Sequence, residues 1–437
     1  MTPAARLQAT LDLLDETLAV AAPADAVISA WFRARRHIEE RDRGYIIELF
    51  YALLQHQARL GWWLARAGAA DVPRNRLLAW LTLVDARTKT EIGTLFSGGK
   101  HAPDALTAAE RALVAALQGQ GIDHPEMAEA VRVECPDWAV APLQRRFGDG
   151  FTQEMAALLG KAPLDLRVNP IKATREAMMG ELRQLGLPAA AAPLAPHGIR
   201  LPERLSLARL PMLKSGAVEI QDEGSQLVAM LVDARPGERV VDFCAGAGGK
   251  TLAIAAQMAN KGHVVACDVM EGRLKRGAER FRHAGLHNIQ TRLLSSETDR
   301  WVKRHKAGFD RVLVDAPCSG TGTWRRNPDA RWRVMEGSRL DRLVPLQGRI
   351  LASAARLVKP GGRLVYATCS MLIEENEDQV AAFLAAHPHF RMVPLREAAP
   401  QLAPVVEADC LSLTPARHHT DGFFAAVLQR TAEPATA

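Results

Sequence analysis

The sequence lacks the features that would place it in a membrane, in an oxidising compartment or around a structural metal. It has no run of about 18 apolar residues, so no membrane-spanning helix is expected. The amphipathic stretch Met1 to Thr17 lacks the continuous apolar segment of a signal peptide. The six cysteines are scattered and form no C-x-x-C pair, which argues against a zinc site and a disulfide framework. We therefore expect a cytoplasmic protein with free thiols, no membrane partner and no metal.

Length and composition are those of an ordinary folded protein. The 437 residues are enough for two or three domains with cores of their own. Hydrophobic residues make up 48% and charged residues 24%, and there is no internal repeat or long low-complexity segment. The formal net charge of +6 fits either a solvated arginine-rich surface or a polyanionic partner, and it favours the partner only weakly.

Residues 1–160 are predicted to form an all-α domain. Leucines recur at helical spacing at Leu7, Leu11 and Leu14, and strand-like alternation is almost absent. An arginine cluster lies nearby, and two of its members, Arg35 and Arg36, are candidates for contact with RNA phosphates. The alternative is a solvated helix face on which these arginines form salt bridges with neighbouring glutamates.

From residue 161 the sequence pattern changes twice. Residues 161–235 begin with a strand that ends at Asn169-Pro170 and continue with a helix over 175–185, which predicts a small α+β connector or accessory lobe. In residues 236–430, strands alternate with helices, as in a mainly parallel, doubly wound α/β sheet. The predicted strands are 239–243, 263–267, 289–293, 310–315, 363–368 and 423–428.

A glycine-rich turn joins the first strand of this third region to a predicted helix. It consists of Cys244-Ala245-Gly246-Ala247-Gly248-Gly249-Lys250. Such a turn lets the backbone approach a ligand at the N-terminus of a helix. It is not a phosphate-binding P-loop, because Cys244 stands where that motif requires glycine. The turn alone predicts a nucleotide-like site of unspecified chemistry.

Reactive side chains follow later strands of the same predicted sheet. Asp268 follows the second strand, where an acid can accept hydrogen bonds from ribose hydroxyls or cap the next helix. Asp315 and Cys318 follow the fourth strand, and Cys369 follows the fifth. A single buried cysteine is more often an inert apolar residue. Because the carboxyl ends of parallel strands meet at one edge, we expect two thiols and a carboxylate to converge on a catalytic site.

These segments resemble the RNA cytosine-carbon-5 methyltransferases of the RsmB, Nop and Sun group. The resemblance covers residues 163–430 and implies a Rossmann-like methyltransferase sheet. The first 150 residues look like the NusB-like RNA-binding domain of bacterial RsmB-type enzymes, through Arg35-Arg36 and Asp42-Arg43. The motifs occur in the family's order: Gln221-Asp222-Glu223-Gly224-Ser225, the Gly-Gly-Lys-Thr turn, Asp315-Ala316-Pro317-Cys318-Ser319-Gly320-Thr321-Gly322 and Thr368-Cys369-Ser370.

The resemblance implies a cofactor, a substrate and a role for each of these residues. The cofactor would be S-adenosylmethionine (SAM), and the substrate a structured RNA, with ribosomal RNA favoured. Residues 244–250 would wrap the methionine end of SAM, and Asp268 would hold its ribose. Cys369 would be the nucleophile and Cys318 would help to release the product. Asp315 would lie between the cofactor and the target base.

The sequence departs from the family pattern at the adenine end of the cofactor site. The family places an acid after the third strand to hold adenine, and the spacing puts Ser296 at this position. Ser296 would bind adenine more weakly than an acid, and Glu297 is the alternative.

A segment rich in arginine and tryptophan, Thr323 to Arg333, directly follows the first thiol loop. Its Arg325, Arg326 and Arg331 are candidates for RNA contact, because arginines interleaved with aromatics suit phosphate binding and base stacking. The alternative is a folded surface loop with a buried Trp332 and solvated arginines.

The predicted function is SAM-dependent methylation of carbon 5 of a cytosine in RNA through a covalent cysteine–cytosine adduct. One alternative is a tRNA rather than a ribosomal RNA substrate. Another is a DNA cytosine methyltransferase that attacks with Cys318, although this leaves Thr368-Cys369-Ser370 unexplained. A third is a catalytically weak RNA-binding factor of ribosome assembly. The oligomeric state is not predicted.

Overall fold

The structure is a computed structural model that describes residues 1–20, 22–202, 210–333, 339–402 and 409–431. The chain divides into two units. The first consists of Met1–Leu159 with Trp324–Val334, and the second of Gly160–Thr323 with Met335–Ala437. The segment after the first thiol loop therefore belongs to the helical unit. Over the described ranges, no helix is both long and apolar enough to span a membrane.

The helical periodicity of the first 160 residues produces an all-α unit, as predicted. Leu7, Leu11 and Leu14 lie on the buried face of the first helix and pack against the later ones. Thr2 caps this helix by accepting a hydrogen bond from the Ala5 N–H. The helices are α1 (Pro3–Ala19), α2 (Ala24–Ala34), α3 (Glu40–Gln55), α4 (Gln57–Arg66), α5 (Pro73–Leu83), α6 (Lys89–Leu95), α7 (Ala108–Leu117), α8 (Glu129–Arg132), α9 (Asp137–Phe147) and α10 (Phe151–Ala157).

The connector region folds as an α+β lobe, which confirms the predicted class. Its sheet is antiparallel in the order β2-β3-β1-β4. The alanine-rich stretch around residue 190 contributes the short edge strand β2. The elements are β1 (Leu164–Val168), α11 (Arg175–Gln184), β2 (Ala190–Ala191), β3 (Gly198–Leu201), α12 (Pro211–Lys214) and β4 (Val218–Ile220).

The large sheet contains every strand that the sequence predicted, together with two short ones that it did not. The predicted strands are β5 (Arg239–Asp242), β6 (His263–Asp268), β7 (Ile289–Leu293), β8 (Phe309–Asp315), β9 (Val358–Thr368) and β12 (Phe423–Arg430). The unpredicted strands are β10 (Phe390–Val393) and β11 (Leu411–Leu413). The helices are α13 (Glu223–Leu231), α14 (Gly249–Gln257), α15 (Glu271–His283), α16 (Arg300–Arg304), α17 (Pro328–Trp332), α18 (Arg339–Ala355), α19 (Glu377–Ala386), α20 (Leu395–Ala398) and α21 (Pro415–His418), of which α17 lies in the helical unit.

The order of the strands confirms a mainly parallel, doubly wound sheet. Along the sheet it is β10-β12-β9-β8-β5-β6-β7, and β11 pairs with β12. Strands β5 to β9 are parallel, whereas β10, β11 and β12 pair antiparallel. Both faces are buried, because Val240 packs into one core cluster and Val241 into another. From β5 the chain continues through β6 and β7 on one side of the sheet and through β8 and β9 on the other, so the strand order reverses between β5 and β8. A ligand cleft is expected at the carboxyl ends of these two strands.

Candidate active site

The glycine-rich turn after β5 is fixed by backbone geometry and by its neighbours. Gly248 has φ +80°, and a Cβ at this position would come within 2.3 Å of the Phe281 ring. Both facts require glycine, since other residues rarely adopt this φ and have no room here. Below the turn, the Thr251 hydroxyl donates to Asp242 Oδ2 at 2.7 Å. These contacts fix the conformation of the turn at the start of α14.

A cavity of about 510 Å³ opens beside this turn, at the carboxyl ends of the parallel strands. The predicted residues that line it are Cys244, Ala245, Gly246, Ala247, Asp268, Asp315, Cys318 and Cys369. Gly248, Gly249 and Lys250 lie behind the lining residues rather than among them. A cavity of this volume falls within the usual range for small-molecule sites, roughly 300–1,000 Å³.

Asp268 lies at the end of β6 and is only 6% exposed. Its Oδ2 accepts the Gly246 N–H at 2.9 Å, and its Oδ1 accepts the Met270 N–H at 2.7 Å. The carboxylate therefore orients the glycine turn while lining the cavity. A carboxylate has about four acceptor positions, so these two bonds leave capacity for a ligand hydroxyl.

Ser296, the predicted adenine-binding residue, does not line the cavity. Its hydroxyl instead interacts with Thr298, accepting the Thr298 N–H at 3.2 Å in a local turn. The next residue, Glu297, lines the cavity in its place and pairs with Arg349 at 2.8 Å. The hydrogen bond from Arg349 lowers the pKa of Glu297, so this side chain is a carboxylate at neutral pH. Ser296 stays a prediction, and of the two candidates Glu297 is the one that lines the cavity.

Asp315 at the end of β8 forms an ion pair with Lys250 of α14, with Oδ2 and Nζ 2.7 Å apart. Lys250 is 9% exposed. Burial by itself lowers the pKa of Lys250, but the charge and hydrogen bond of Asp315 outweigh this and raise it, with a smaller contribution from Cys369. A fixed ammonium group therefore stands below the cavity, within electrostatic range of both Asp315 and Cys369.

The two predicted thiols lie next to each other in the lining of the cavity. The Sγ atoms of Cys318 and Cys369 are 3.4 Å apart, and both cysteines are free and half-buried. The hydrogen bond to Cys369, together with burial, raises the pKa of Cys318 well above its usual range. Cys318 is therefore a protonated thiol in the resting state, and it can donate a hydrogen bond to Cys369.

A buried glutamate that the sequence did not single out connects the loops carrying these thiols. Glu375 is fully buried and accepts the Ser319 N–H at 2.8 Å and a Gln347 amide N–H at 2.9 Å. The Ser319 hydroxyl also donates to Glu375 and lies 3.1 Å from the Ser370 hydroxyl. Cys318 and Cys369 are thus each one residue away from a serine of the same network. Nothing in the local sequence separates Glu375 from its neighbour Glu374.

A second residue missed by the sequence reasoning is Arg280 of α15. Its Nη1 donates to the Ala247 carbonyl at 2.7 Å, and its Nη2 pairs with Glu219 of β4 at 2.8 Å. Arg280 therefore ties the glycine turn to the α+β lobe. Its partners lie 33 and 61 positions away in the sequence, so spacing gave no signal.

The predicted RNA-contact residues of the arginine-tryptophan segment occupy different environments. Arg331 is fully buried and donates to the carbonyl oxygens of Glu134 and Leu158 at 3.2 and 3.4 Å. The prediction for Arg331 is therefore wrong, because a guanidinium enclosed by protein cannot reach a phosphate. Arg325 and Arg326 are half-buried in the same segment.

The two N-terminal candidates also differ from each other. Arg35 lies over the Trp31 ring, with its guanidinium carbon 4.1 Å from the ring centroid, and is half-buried. Arg36 is exposed. The Arg36 guanidinium is therefore in contact with solvent, whereas the Arg35 guanidinium makes a cation–π contact with Trp31.

Comparison with known proteins agrees with these features. A family model described as "16S rRNA methyltransferase RsmB/F" matches residues 229–429. A second, described as the RsmF/B-like ferredoxin-like domain, matches residues 135–208. The first match contains the large sheet and its cavity, and the second overlaps the α+β lobe.

Individual relatives extend the similarity. "Probable ribosomal RNA small subunit methyltransferase B" of Synechocystis sp. is 36% identical over 317 residues, covering 72% of this chain and 71% of the relative. "Ribosomal RNA small subunit methyltransferase B" of Photorhabdus laumondii is 35% identical over 297 residues, covering 68% and 66%. The crystal structure of PH0851 matches with a TM-score of 0.81 at 25% identity, covering 98% of this chain and 99% of the other.

Proposed function

Because this chain belongs to the RsmB/F family of 16S rRNA methyltransferases, we propose that it methylates carbon 5 of a cytosine in ribosomal RNA through a covalent bond to Cys369. The observation that carries the proposal is the approach of Cys318 and Cys369 to 3.4 Å in a cavity that Asp315 also lines. An acid and two thiols are the groups that this reaction requires, since carbon 5 of cytosine is not nucleophilic until carbon 6 is attacked.

The cavity suits S-adenosylmethionine as the methyl donor. Its volume is adequate, the glycine turn forms one wall, and Asp268 at the end of β6 is placed for the ribose hydroxyls. Glu297 is the candidate acceptor for the adenine amino group. When bound, SAM supplies an electrophilic methyl group and keeps both electrons of the broken sulfur–carbon bond.

The first step assigned to the protein is addition of the Cys369 thiolate to carbon 6 of the base. The new sulfur–carbon bond uses the thiolate electron pair, and the electrons of the 5,6 double bond become available at carbon 5. The developing negative charge on the ring nitrogen takes up a proton from the Lys250–Asp315 pair, whose Nζ and Oδ2 lie 2.7 Å apart, and the nitrogen returns this proton once the methyl group is on carbon 5.

The last step assigned to the protein is release of the methylated base. After methyl transfer, carbon 5 carries both the methyl group and a proton. A water positioned by the protonated Cys318 thiol takes this proton and passes it to solvent. The 5,6 double bond re-forms, and the bond between carbon 6 and Cys369 breaks. The raised pKa of Cys318 keeps its own thiol protonated, so its role is to orient this water rather than to remove the proton itself.

Substitution of each thiol in turn tests the proposal. We expect Cys369→Ala to reduce methyl transfer from labelled SAM to small-subunit ribosomal RNA by at least about three orders of magnitude, because the nucleophile is lost. We expect Cys318→Ala to accumulate an enzyme–RNA complex that survives denaturing electrophoresis, because the adduct cannot resolve. Mass spectrometry of the digested RNA identifies the methylated nucleoside.

Cys410→Ala is the matched control, since Cys410 is half-buried but bonds to Met392 rather than lining the cavity. It should methylate RNA like the unmodified protein. If Cys369→Ala still traps RNA while Cys318→Ala does not, the roles of the two thiols are reversed. Transfer to DNA with no transfer to RNA would contradict the proposed substrate.

A further inference from the structure

A second cavity of about 300 Å³ lies in the same unit, between the α+β lobe and the large sheet. Its lining includes residues of β1, of the turn before β3, of α13 and of α14. Leu227, Met230 and Ala253 form an apolar part of the wall. None of the residues proposed to act on SAM or on cytosine lines this cavity, so it requires a separate explanation.

One wall of this second cavity contains a buried arginine that has no hydrogen-bonded or ion-paired partner among the described residues. Arg167 of β1 is 6% exposed, and over the described ranges it makes neither a hydrogen bond nor an ion pair through its side chain. On the same sheet, Arg200 donates to Asp165 at 2.7 and 2.9 Å and to Glu223 at 3.1 Å. The fold therefore gives Arg200 two acidic partners and leaves Arg167 without a side-chain partner among the described residues.

The carboxylate best placed to neutralise Arg167 is already engaged. Glu219 is the cross-strand neighbour of Arg167, but it pairs with Arg280 at 2.8 Å. Burial lowers the pKa of Arg167 only to about 10, so the guanidinium remains charged at neutral pH. A buried charge without a partner is strongly unfavourable, and folded proteins normally pair it with an opposite charge.

The remaining polar groups of this cavity are hydrogen-bonding side chains without negative charge. Burial lowers the pKa of the His197 imidazole, and the nearby charge of Arg167 lowers it further. Gln226 directs its amide nitrogen to the Gln221 carbonyl, and its buried Oε1 has no partner among the described residues. Gln257 and Gln401 complete the polar lining. The cavity thus combines one fixed cation with neutral groups.

We propose that this cavity binds a phosphate group, with the Arg167 guanidinium as its counter-charge. The guanidinium fork matches two phosphate oxygens, and the imidazole of His197 and the side-chain amide of Gln257 can donate to the others. The phosphate has two sources that share this chemistry. It is either a phosphodiester of the RNA substrate, which rests on the proposed function, or a free phosphate or mononucleotide, which does not.

The first experiment uses inorganic phosphate and the full-length protein. At a phosphate concentration about ten times the dissociation constant, the melting temperature should rise by roughly 2–4 °C relative to chloride at equal ionic strength. The rise should disappear in Arg167→Gln and persist in Arg183→Gln, which removes an exposed arginine of the same lobe. Equal loss of the rise in both variants would overturn the site, since it would show a non-specific charge effect.

The second experiment distinguishes the two sources. In binding of a single-stranded ribosomal RNA fragment, the slope of log affinity against log salt should be smaller by about 0.7 in Arg167→Gln if the site takes a backbone phosphate. An unchanged slope with a lost response to inorganic phosphate would identify a free anion as the ligand. Neither readout depends on methyl transfer, so failure of the proposed reaction would not affect them.

A third measurement avoids the possibility that Arg167→Gln fails to fold. Arginine Nε–Hε resonances of the unmodified protein can be followed by NMR during titration with inorganic phosphate. The Arg167 resonance, assigned by its loss in Arg167→Lys, should shift with saturation. If it does not shift and the salt slope for RNA is unchanged, the cavity is not a phosphate site.

Discussion

Asp242 shows how much a single buried carboxyl group depends on its surroundings. It ends β5 directly below the glycine turn and is 1% exposed. Thr251 donates to its Oδ2 at 2.7 Å, while its Oδ1 has no partner among the described residues. Burial raises the pKa of Asp242 to about 7, against the partial opposition of the Thr251 hydrogen bond.

This raised pKa predicts a pH-dependent stability with a definite sign. An unfolded aspartate ionises near pH 4, so between pH 4 and 7 the folded state binds more protons than the unfolded state. The free energy of unfolding therefore falls as pH rises through this window. Relative to Asp242→Asn, the unmodified protein should lose about 2–3 kcal/mol between pH 5 and pH 8 in urea titrations.

Asp299→Asn provides the control for Asp242. Backbone and side-chain hydrogen bonds, first of all from the Ser295 N–H, lower the pKa of Asp299 to about 2. Its ionisation is therefore complete in both folded and unfolded states above pH 5. The difference between this variant and the unmodified protein should be flat from pH 5 to pH 8. A flat difference for Asp242→Asn as well would show that its carboxyl group is ionised in the fold.

At the scale of single residues, the sequence predicted which side chains lie together when they directly follow parallel strands of one sheet. Cys318, Cys369 and Asp315 were expected to converge because parallel strands end at one edge, and they do. The prediction was wrong for Arg331, since an arginine among tryptophans fits a buried site as well as an RNA surface. For Ser296, a spacing argument accurate to one residue could not distinguish it from Glu297.

At the scale of elements, the short 3₁₀ helix Ile373–Glu375 connects the two loops of the candidate active site. It follows Cys369 in the chain and holds the Cys318 loop through Glu375, which accepts from Ser319 and Gln347. The Tyr366 hydroxyl of β9 in turn donates to the Glu375 carbonyl at 2.6 Å. The distance between the two thiols thus depends on one buried carboxylate.

Glu375→Gln should separate positioning from cofactor binding. Glu375 accepts from three donors, the Ser319 N–H and a Gln347 N–H on Oε1 and the Ser319 hydroxyl on Oε2, whereas a glutamine has a single acceptor oxygen. At least one buried donor therefore loses its acceptor, at a cost of about 1–3 kcal/mol. With the thiol loops displaced, kcat should fall by about 10-fold to 100-fold. The dissociation constant of SAM, measured by calorimetry, should stay unchanged because Glu375 does not line the first cavity.

The neighbouring Glu374→Gln is the matched control, as Glu374 lies in the same 3₁₀ helix but is only half-buried. It should have little effect on kcat. If Glu375→Gln instead weakens SAM binding and kcat in parallel, the carboxylate supports the whole sheet edge rather than the thiol loops.

The strands were predicted where a run of residues has a recognisable pattern of hydrophobicity. Apolar runs followed by glycine-rich or polar turns located four of the five parallel strands, β5, β6, β8 and β9, because buried parallel strands need continuous hydrophobic sequence. The fifth, β7, is an exposed edge strand of mixed composition. Strands β10 and β11 were missed because short antiparallel strands at a sheet edge carry too few residues for a pattern. The roles of Glu375, Arg280 and Arg167 depend on partners far away in the sequence, which one sequence does not reveal.

At the scale of the whole molecule, a short segment after the first thiol loop belongs to the helical unit, although the chain on both sides of it belongs to the large-sheet unit. The segment is Trp324–Val334, and its Trp324 is fully buried beside Trp138 of α9. Arg331 of α17 donates to carbonyl oxygens at the C-terminal ends of α8 and α10. The helical unit is therefore completed by residues from within the catalytic half of the sequence, so it is not a simple N-terminal module.

Arg331→Ala should accordingly destabilise the helical unit and not the sheet. The substitution removes hydrogen bonds to two buried carbonyls and leaves a void beside Trp324, which together should cost about 2–4 kcal/mol. Amide hydrogen exchange should accelerate in α9 and α10 and stay unchanged in β8. The salt dependence of RNA binding should not change, because a buried guanidinium releases no counterions from RNA. Arg36→Ala, which removes an exposed arginine of the same unit, is the control and should leave amide hydrogen exchange unaffected. The prediction would be contradicted if Arg331→Ala left exchange unchanged and reduced the salt dependence of RNA binding, because Arg331 would then contact the RNA.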